Sequence, residues 1–179
     1  LINMNTYRPE LHITPKYGWI NDPNGFCFFK GKYHLYAQYF PYDLKWGPMQ
    51  WLHFSSKDLI HWKEEGIALK PSETYDIGWG CFSGSAIEKD GKLYVLYTGS
   101  SYGKQTQCLA YSEDGHNFTK YEGNPVISQK DLPEGYTDKD FRDPKIFFKD
   151  GHYYVLTACR HVKGYASILL FKTDDLIHY

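Results

Sequence analysis

Short apolar runs alternate with glycine turns along the chain, and this pattern occurs three times. In each copy a strand-like run reaches a Lys-Gly or Asp-Gly pair and continues in a run rich in Tyr, Leu and Val. Two such runs joined by a two-residue glycine turn predict a β-hairpin. The turn glycines Gly31, Gly91 and Gly151 are spaced 60 residues apart. This even spacing indicates that the hairpins are equivalent parts of an internal repeat.

A second landmark follows each hairpin and extends the repeat. The sequence at 56–62 is closely matched at 173–179, and the sequence at 112–118 is a looser copy. A strand-like run precedes each landmark, and an aromatic residue at the end of the landmark opens another short run. Each unit is therefore predicted to contain three strands, a turn and an outer fourth strand.

These repeated four-stranded units predict an all-β fold, a β-propeller with one unit per blade. No amphipathic pattern of helical length is present, which disfavours an α/β fold. A β-sandwich is the alternative, but it would not explain the even spacing. The chain stops at Tyr179, where the third outer strand should begin, and a propeller needs at least about four blades. We therefore expect residues 1–179 to be a propeller domain truncated within its third blade.

Two Asp-Pro pairs are the strongest candidates for chemistry. Asp22 lies in the stretch 19–25, where Pro23 biases the acid towards extended backbone and Asn24-Gly25 predicts a turn. We expect Asp22 at the mouth of the strand that follows. Asp143 lies in a second copy of this arrangement at 141–145. Either acid alone is equally typical of an ordinary turn, but two at matched positions of a repeat are not.

The repeat places Ser83 at the equivalent position of the second unit. Because the first strand of a propeller blade lines the central channel, Asp22, Ser83 and Asp143 are expected at one channel mouth. Two carboxylates facing a polar, aromatic funnel are typical of glycoside hydrolysis. Side chains able to bind a sugar there are Gln38, Arg142 and the indoles of Trp19, Trp46, Trp51 and Trp79. Each of these indoles, taken singly, also fits a core position, and Arg142 alternatively lowers the pKa of its neighbour Asp143.

Composition excludes several other classes. The formal net charge of −1 gives no support to a nucleic-acid or anionic-membrane partner. The four cysteines are widely spaced and form no cluster with histidine, so no metal site is expected. No apolar run is long enough to span a bilayer and no signal peptide is recognisable, so we expect a cytoplasmic protein. The chain begins at Leu1 with Met4 inside it, which leaves the natural N-terminus open.

The motifs together resemble glycoside hydrolase family 32, the family of invertases and sucrose-6-phosphate hydrolases. The stretch 19–25 resembles the family's first signature, and Phe141-Arg142-Asp143-Pro144 resembles its second. Trp46-Gly47-Pro48-Met49, Phe82-Ser83-Gly84-Ser85 and the position of Gln38 also match. The resemblance covers the whole chain.

This resemblance implies a five-bladed propeller followed by a β-sandwich, of which this chain would cover about the first three blades. Asp22 would be the nucleophile that forms a fructosyl-enzyme, and Asp143 would hold fructose hydroxyls and stabilise the transition state. The fructose subsite would be lined by Asn21, Gln38, Trp46, Phe82, Ser83 and Arg142. The reaction would retain configuration and use no cofactor or metal.

The chain departs from the family pattern in one important place. The family's acid/base glutamate lies in a Glu-Cys-Pro motif, whereas this chain has no Glu-Cys pair and its last glutamate is Glu134. We expect that glutamate beyond Tyr179. Gln50 and Leu52 also differ from many members, at positions that affect substrate fit.

The expected function is that of a retaining β-fructofuranosidase acting on a small fructosyl sugar, with the 179-residue piece alone inactive. Sucrose, sucrose 6-phosphate and fructans remain open as substrates, and Lys45, Lys104 and Arg160 are candidate phosphate ligands. One alternative is a non-catalytic sugar-binding propeller. Another is a protein-interaction propeller, which would give no reason for paired Asp-Pro sequences.

Overall fold

The structure is a computed structural model that describes residues 7–179. The described residues form three antiparallel sheets, two of four strands and one of three, each with neighbouring strands in chain order. The strands are β1 (Trp19–Phe29), β2 (Lys32–Phe40), β3 (Gln50–Ser56), β4 (Trp62–Leu69), β5 (Gly80–Lys89), β6 (Lys92–Ser101), β7 (Lys104–Ser112), β8 (Thr119–Lys120), β9 (Tyr136–Lys149), β10 (His152–His161) and β11 (Ala166–Thr173). A short 3-10 helix lies at Gln129–Asp131.

The sheets are successive propeller blades, since β1, β5 and β9 are first in their sheets and pack against their neighbours in the order β1–β5–β9. The predicted outer fourth strand is present in the first two blades as β4 and β8. The question of a natural start at Leu1 or Met4 lies outside the described residues. No helix in residues 7–179 is long and apolar enough to cross a bilayer.

Local turn chemistry explains why the repeat folds as predicted. Lys30 and Gly31 have φ angles of 45° and 78°, so both central residues of the first hairpin turn are left-handed. Two left-handed residues define the type I′ turn, whose twist matches that of paired strands. The equivalent turns repeat this conformation at Asp90-Gly91 and Asp150-Gly151. The three predicted hairpins are confirmed.

The second landmark is also a repeated structure. Ser56 donates a hydrogen bond to Asp58, and the same carboxylate accepts bonds from the backbone N–H groups of Ile60 and His61. This arrangement recurs around Ser112 with Asp114 and around Thr173 with Asp175. Each turn is therefore closed by its own aspartate, which explains why the acid recurs in the sequence.

Aromatic packing fills the space between the first two blades. Tyr36, Trp51 and Tyr97 are all fully buried. The centroid of the Trp51 ring lies 5.7 Å from that of Tyr36 and 6.3 Å from that of Tyr97. Side chains of this size bury large apolar areas and dominate a core energetically. Trp51 is therefore a core residue, and its use as a sugar platform is excluded.

The first strand of each blade carries a β-bulge near the same end of the sheet. Asn21 and Asp22 together oppose one residue of β2, because pairing shifts between Ile20 and Pro23. In the same way, Phe82 and Ser83 of β5 together oppose one residue of β6, and Asp143 and Pro144 of β9 together oppose one residue of β10. A bulge bends the strand and redirects its side chains. All the predicted site acids are therefore placed by irregularities inside strands.

A buried carboxylate joins the linker between the first two blades to the second blade. Asp76 is fully buried and accepts hydrogen bonds from the backbone N–H groups of Ser72 and Glu73 at 2.9 Å. The Tyr97 hydroxyl donates to it at 3.0 Å, and the Lys120 ammonium pairs with it. Breaking such a pair leaves an uncompensated buried charge.

We expect Asp76→Ala to destabilise the protein by about 3–5 kcal/mol, because Lys120 would lose its buried counter-ion. Urea unfolding measures the loss. Glu113→Ala is the control, since Glu113 pairs with Lys92 at the surface and such pairs contribute at most about 1 kcal/mol. Equal effects of the two substitutions would contradict the assignment of Asp76 as a buried anchor.

Candidate active site

The bulges of the three blades converge on one small cavity of about 140 Å³. Its lining contains residues from every blade. They are Asn21, Asp22, Gln38, Trp46, Phe82, Ser83, Arg142 and Asp143. The structure therefore brings together both candidate acids and every predicted sugar ligand except Trp19, Trp51 and Trp79.

Asp22 is held across the boundary between two blades. The Ser83 hydroxyl of β5 donates a hydrogen bond of 2.8 Å to one oxygen of the Asp22 carboxylate. Asp22 is exposed to solvent while Ser83 is buried, so the hydroxyl fixes the acid from the protein side. The prediction that Asp22 begins a strand is wrong, because β1 starts at Trp19 and the acid lies within it.

The prediction of a turn at Asn24-Gly25 is also wrong. Both residues lie within β1, where a second shift in pairing occurs between Asn24 and Cys27. Gly25 has a φ of 54°, and a Cβ there would lie 2.8 Å from the Tyr36 ring. The Asn24 side chain accepts a hydrogen bond of 3.2 Å from the backbone N–H of Gly84. These residues therefore pack β1 against β5 instead of reversing the chain.

Asp143 has an unusual backbone and an altered acidity. Its φ of 63° lies in the left-handed region, which a non-glycine residue adopts at a cost. Desolvation raises the pKa of its carboxyl group, the positive charge of Arg142 opposes this, and the negative charge of Asp22 adds to it. The two acids are thus close enough across the cavity to affect each other electrostatically.

Arg142 is oriented by a cluster that sequence reasoning did not identify. Its guanidinium donates to Asp140 at 2.8 Å and to the side-chain oxygen of Gln105 at 3.2 Å, and Arg160 also contacts Asp140 at 3.2 Å. Hydrogen bonds from Arg142 and then Arg160 lower the pKa of Asp140. Neither Gln105 nor Asp140 belongs to a motif, so only the fold could reveal them.

Two predicted ligands are fixed by neighbours. Gln38 is 2% exposed, and its amide N–H₂ donates to the carbonyl of Cys81 at 2.9 Å, which leaves its carbonyl oxygen for a sugar hydroxyl. The Trp19 indole N–H donates to the Asn21 side chain at 2.7 Å. Trp19 therefore contacts the site through Asn21 and does not line the cavity.

An aromatic edge borders the cavity. The Trp46 ring lies 5.1 Å from that of Trp79 and 6.1 Å from that of Phe82, measured between centroids. Trp46 and Trp79 are 44% and 52% exposed. Exposed aromatic faces beside polar groups are suitable platforms for a sugar ring. Among the described residues no group of three or more His, Cys, Asp or Glu side chains has an arrangement that could hold a metal ion, and all four cysteines are free thiols.

Comparison with known proteins gives consistent matches. Residues 12–179 match the Glycosyl hydrolases family 32 N-terminal domain. The chain is 40% identical to a sucrose-6-phosphate hydrolase of Bacillus subtilis, with all of this chain and 37% of the relative covered. It is 39% identical to a raffinose invertase of Escherichia coli, covering 96% of this chain and 36% of that protein.

A solved structure agrees with this result. The GH32 beta-fructofuranosidase of Bombyx mori superimposes with a TM-score of 0.85 at 46% identity, over 96% of this chain and 36% of the other. The chain thus spans slightly more than a third of the length of the relatives it matches.

The opposite pKa shifts of Asp143 and Asp140 predict opposite effects on stability. Asp143 has a raised pKa, so its ionised form opposes folding above that pKa, and this effect disappears below the ordinary value of 3.8. Asp143→Asn should therefore raise the urea midpoint at pH 7. The gain should vanish as pH falls below 3.8.

Asp140→Asn is the matched control with the reverse sign. Because the pKa of Asp140 is lowered, its carboxylate stabilises the fold above pH 3.8 and loses this effect as pH falls below that value. The variant should lower the urea midpoint at pH 7. Shifts of the same sign in both variants would show that the charges do not act as described.

Proposed function

The chain belongs to glycosyl hydrolase family 32, and we propose that it forms the fructose-binding part of a retaining β-fructofuranosidase acting on sucrose or sucrose 6-phosphate. The observation that carries this proposal is the placement of Asp22 and Asp143 on one cavity by separate blades. Hydroxyl, amide and guanidinium groups surround the acids, as a small polyhydroxylated ring requires.

Asp22 is proposed as the nucleophile. One of its carboxylate oxygens is held by Ser83, and the other is available to attack the anomeric carbon of fructose. The bond from that carbon to the leaving oxygen breaks as the bond to Asp22 forms, and the leaving oxygen takes a proton from an acid. Water then attacks the same carbon, gives a proton to the conjugate base of that acid and releases Asp22, so configuration is retained.

Asp143 is proposed to bind fructose hydroxyls and to stabilise the positive charge that develops on the ring. Both acids line the same cavity, so Asp143 can contact the ring whose anomeric carbon Asp22 attacks. Arg142 and Gln38 complete the subsite, and Trp46 and Phe82 provide its apolar side. The proposed chemistry uses no metal or cofactor.

The proton donor is proposed to lie in sequence that follows Tyr179 in the complete protein. No glutamate lines the cavity in the described part of the chain, and Glu134 lies in the segment before β9. Residues 1–179 would then be the first part of a catalytic propeller. A sugar-binding propeller without catalysis is the second candidate, favoured by this same lack of a glutamate.

Among the three candidate phosphate ligands, Lys45 is the one we favour. Arg160 is paired with Asp140, and Lys104 lines a different cavity of about 400 Å³. Lys45 is exposed and directly precedes Trp46, which lines the site. We propose a cytoplasmic enzyme that accepts a small sugar, with this lysine favouring a phosphorylated one.

We expect Asp22→Asn to reduce turnover by the complete protein at least about 10⁴-fold, as removal of a covalent nucleophile does. Hydrolysis of sucrose, sucrose 6-phosphate and a fructan by wild type and variant measures this and ranks the substrates. The exposed Asp43→Asn is the matched control and should leave the rate unchanged.

The outcomes separate the two candidates. Sugar binding by the wild-type complete protein without any hydrolysis would establish the binding propeller. Hydrolysis that persists in the Asp22→Asn protein would show that another group is the nucleophile.

A further inference from the structure

In each of the first two blades, two neighbouring side chains form hydrogen bonds to the main chain at the bulge of the next blade. In the first blade, Gln38 of β2 and Trp51 of β3 are paired in register. The Gln38 amide donates to the carbonyl of Cys81 at 2.9 Å, and the Trp51 indole donates to the carbonyl of Phe82 at 3.0 Å. Both acceptors are main-chain atoms at the bulge of β5.

The second blade repeats this arrangement with different residues. Thr98 of β6 and Gln107 of β7 are paired in register and are both fully buried. The Thr98 hydroxyl accepts a hydrogen bond of 3.1 Å from the backbone N–H of Asp143, and the Gln107 amide donates to the carbonyl of Phe141 at 2.9 Å. Thr98 also donates to the Gln107 side-chain oxygen at 2.7 Å, which orients both groups.

The hydrogen bond from the Asp143 N–H to Thr98 is made by the residue of the cavity lining that has a left-handed, non-glycine backbone. A left-handed aspartate is strained and persists only where the surroundings enforce that backbone conformation. The bonds from Thr98 and Gln107 hold the backbone at Asp143 and at Phe141 two residues earlier. Thr157 donates to the carbonyl of Arg142 at 2.8 Å, and Ser85 donates to that of Pro144 at 2.7 Å.

We propose that Thr98 and Gln107 are positioning residues for Asp143: they fix its left-handed backbone, and thereby direct its carboxylate into the cavity. Neither side chain lines the cavity, so neither contacts a sugar there. The proposal deepens the proposed function and rests on it for the role of Asp143. Thr98 and Gln107 would thus affect the rate of hydrolysis only through their effect on Asp143.

The test uses the complete protein with sucrose or whichever fructoside the wild type hydrolyses. Thr98→Val keeps the shape and removes the hydroxyl, and we expect kcat/KM to fall about 10–100-fold, the order that misplacing a reacting group by about 1 Å costs. Thr98→Ser restores the hydroxyl and should recover the rate to within about threefold. Thr106→Val is the matched control, because this buried hydroxyl meets only the Cys108 sulfur and the cavity does not include it.

A double-mutant cycle distinguishes positioning from a general structural role. If Thr98 acts through Asp143, adding Thr98→Val to Asp143→Asn should cause little further loss of kcat/KM. Multiplicative losses, or equal losses for Thr98→Val and Thr106→Val, would overturn the proposal.

Hydrogen exchange provides a readout that does not depend on activity. Exchange of the Asp143 amide, followed by mass spectrometry on peptides that span β9, should become at least tenfold faster in Thr98→Val than in Thr106→Val. Unchanged protection would overturn the proposal even if the protein hydrolyses fructosides. Faster exchange in a protein without fructosidase activity would support the positioning of Asp143 while rejecting the proposed function.

Discussion

The site depends on one geometric constraint, the presence of an extra residue in the innermost strand of every blade. A regular strand would send alternate side chains to opposite faces of its sheet. The bulges at Asn21-Asp22, Phe82-Ser83 and Asp143-Pro144 break that alternation at the same end of each blade. Three sheets that otherwise pack apolar faces against each other therefore present polar side chains at one shared opening.

Two carboxylates near this opening, those of Asp143 and Asp140, have opposite effects on stability. Asp143 combines a left-handed backbone with a raised pKa, and both features oppose folding at neutral pH. Asp140, two residues before Arg142, is stabilised by two guanidinium groups. Such a contrast between neighbouring carboxylates is typical of functional sites, where strain is tolerated because the surroundings provide compensation.

Features that depend on residues close in sequence were predicted well, whereas contacts between residues distant in sequence could not be predicted. The Lys-Gly and Asp-Gly turns and the Ser/Thr-x-Asp landmarks fold through contacts between residues close in sequence, so their patterns are visible along the chain. The motif residues of the cavity were found because they repeat or resemble a family. Gln107, Gln105 and Thr98 contact β9 across 34, 36 and 45 residues, and no spacing in the sequence identifies them. Asp140 is held by Arg142 and by Arg160, 20 residues further on, and it belongs to no motif. The bulges were missed for the same reason, since register depends on the partner strand.

The hold of one blade on the next has a consequence for how such repeats diversify. The four bonds that the facing pairs Gln38–Trp51 and Thr98–Gln107 make to the next blade end on main-chain atoms, at Cys81, Phe82, Phe141 and Asp143. These four hydrogen bonds therefore do not depend on which side chains the receiving strand carries at its bulge. Duplicated units can therefore differ in the residues that line the cavity, as Phe82-Ser83 and Asp143-Pro144 do here, while the hydrogen bonds between the blades are kept.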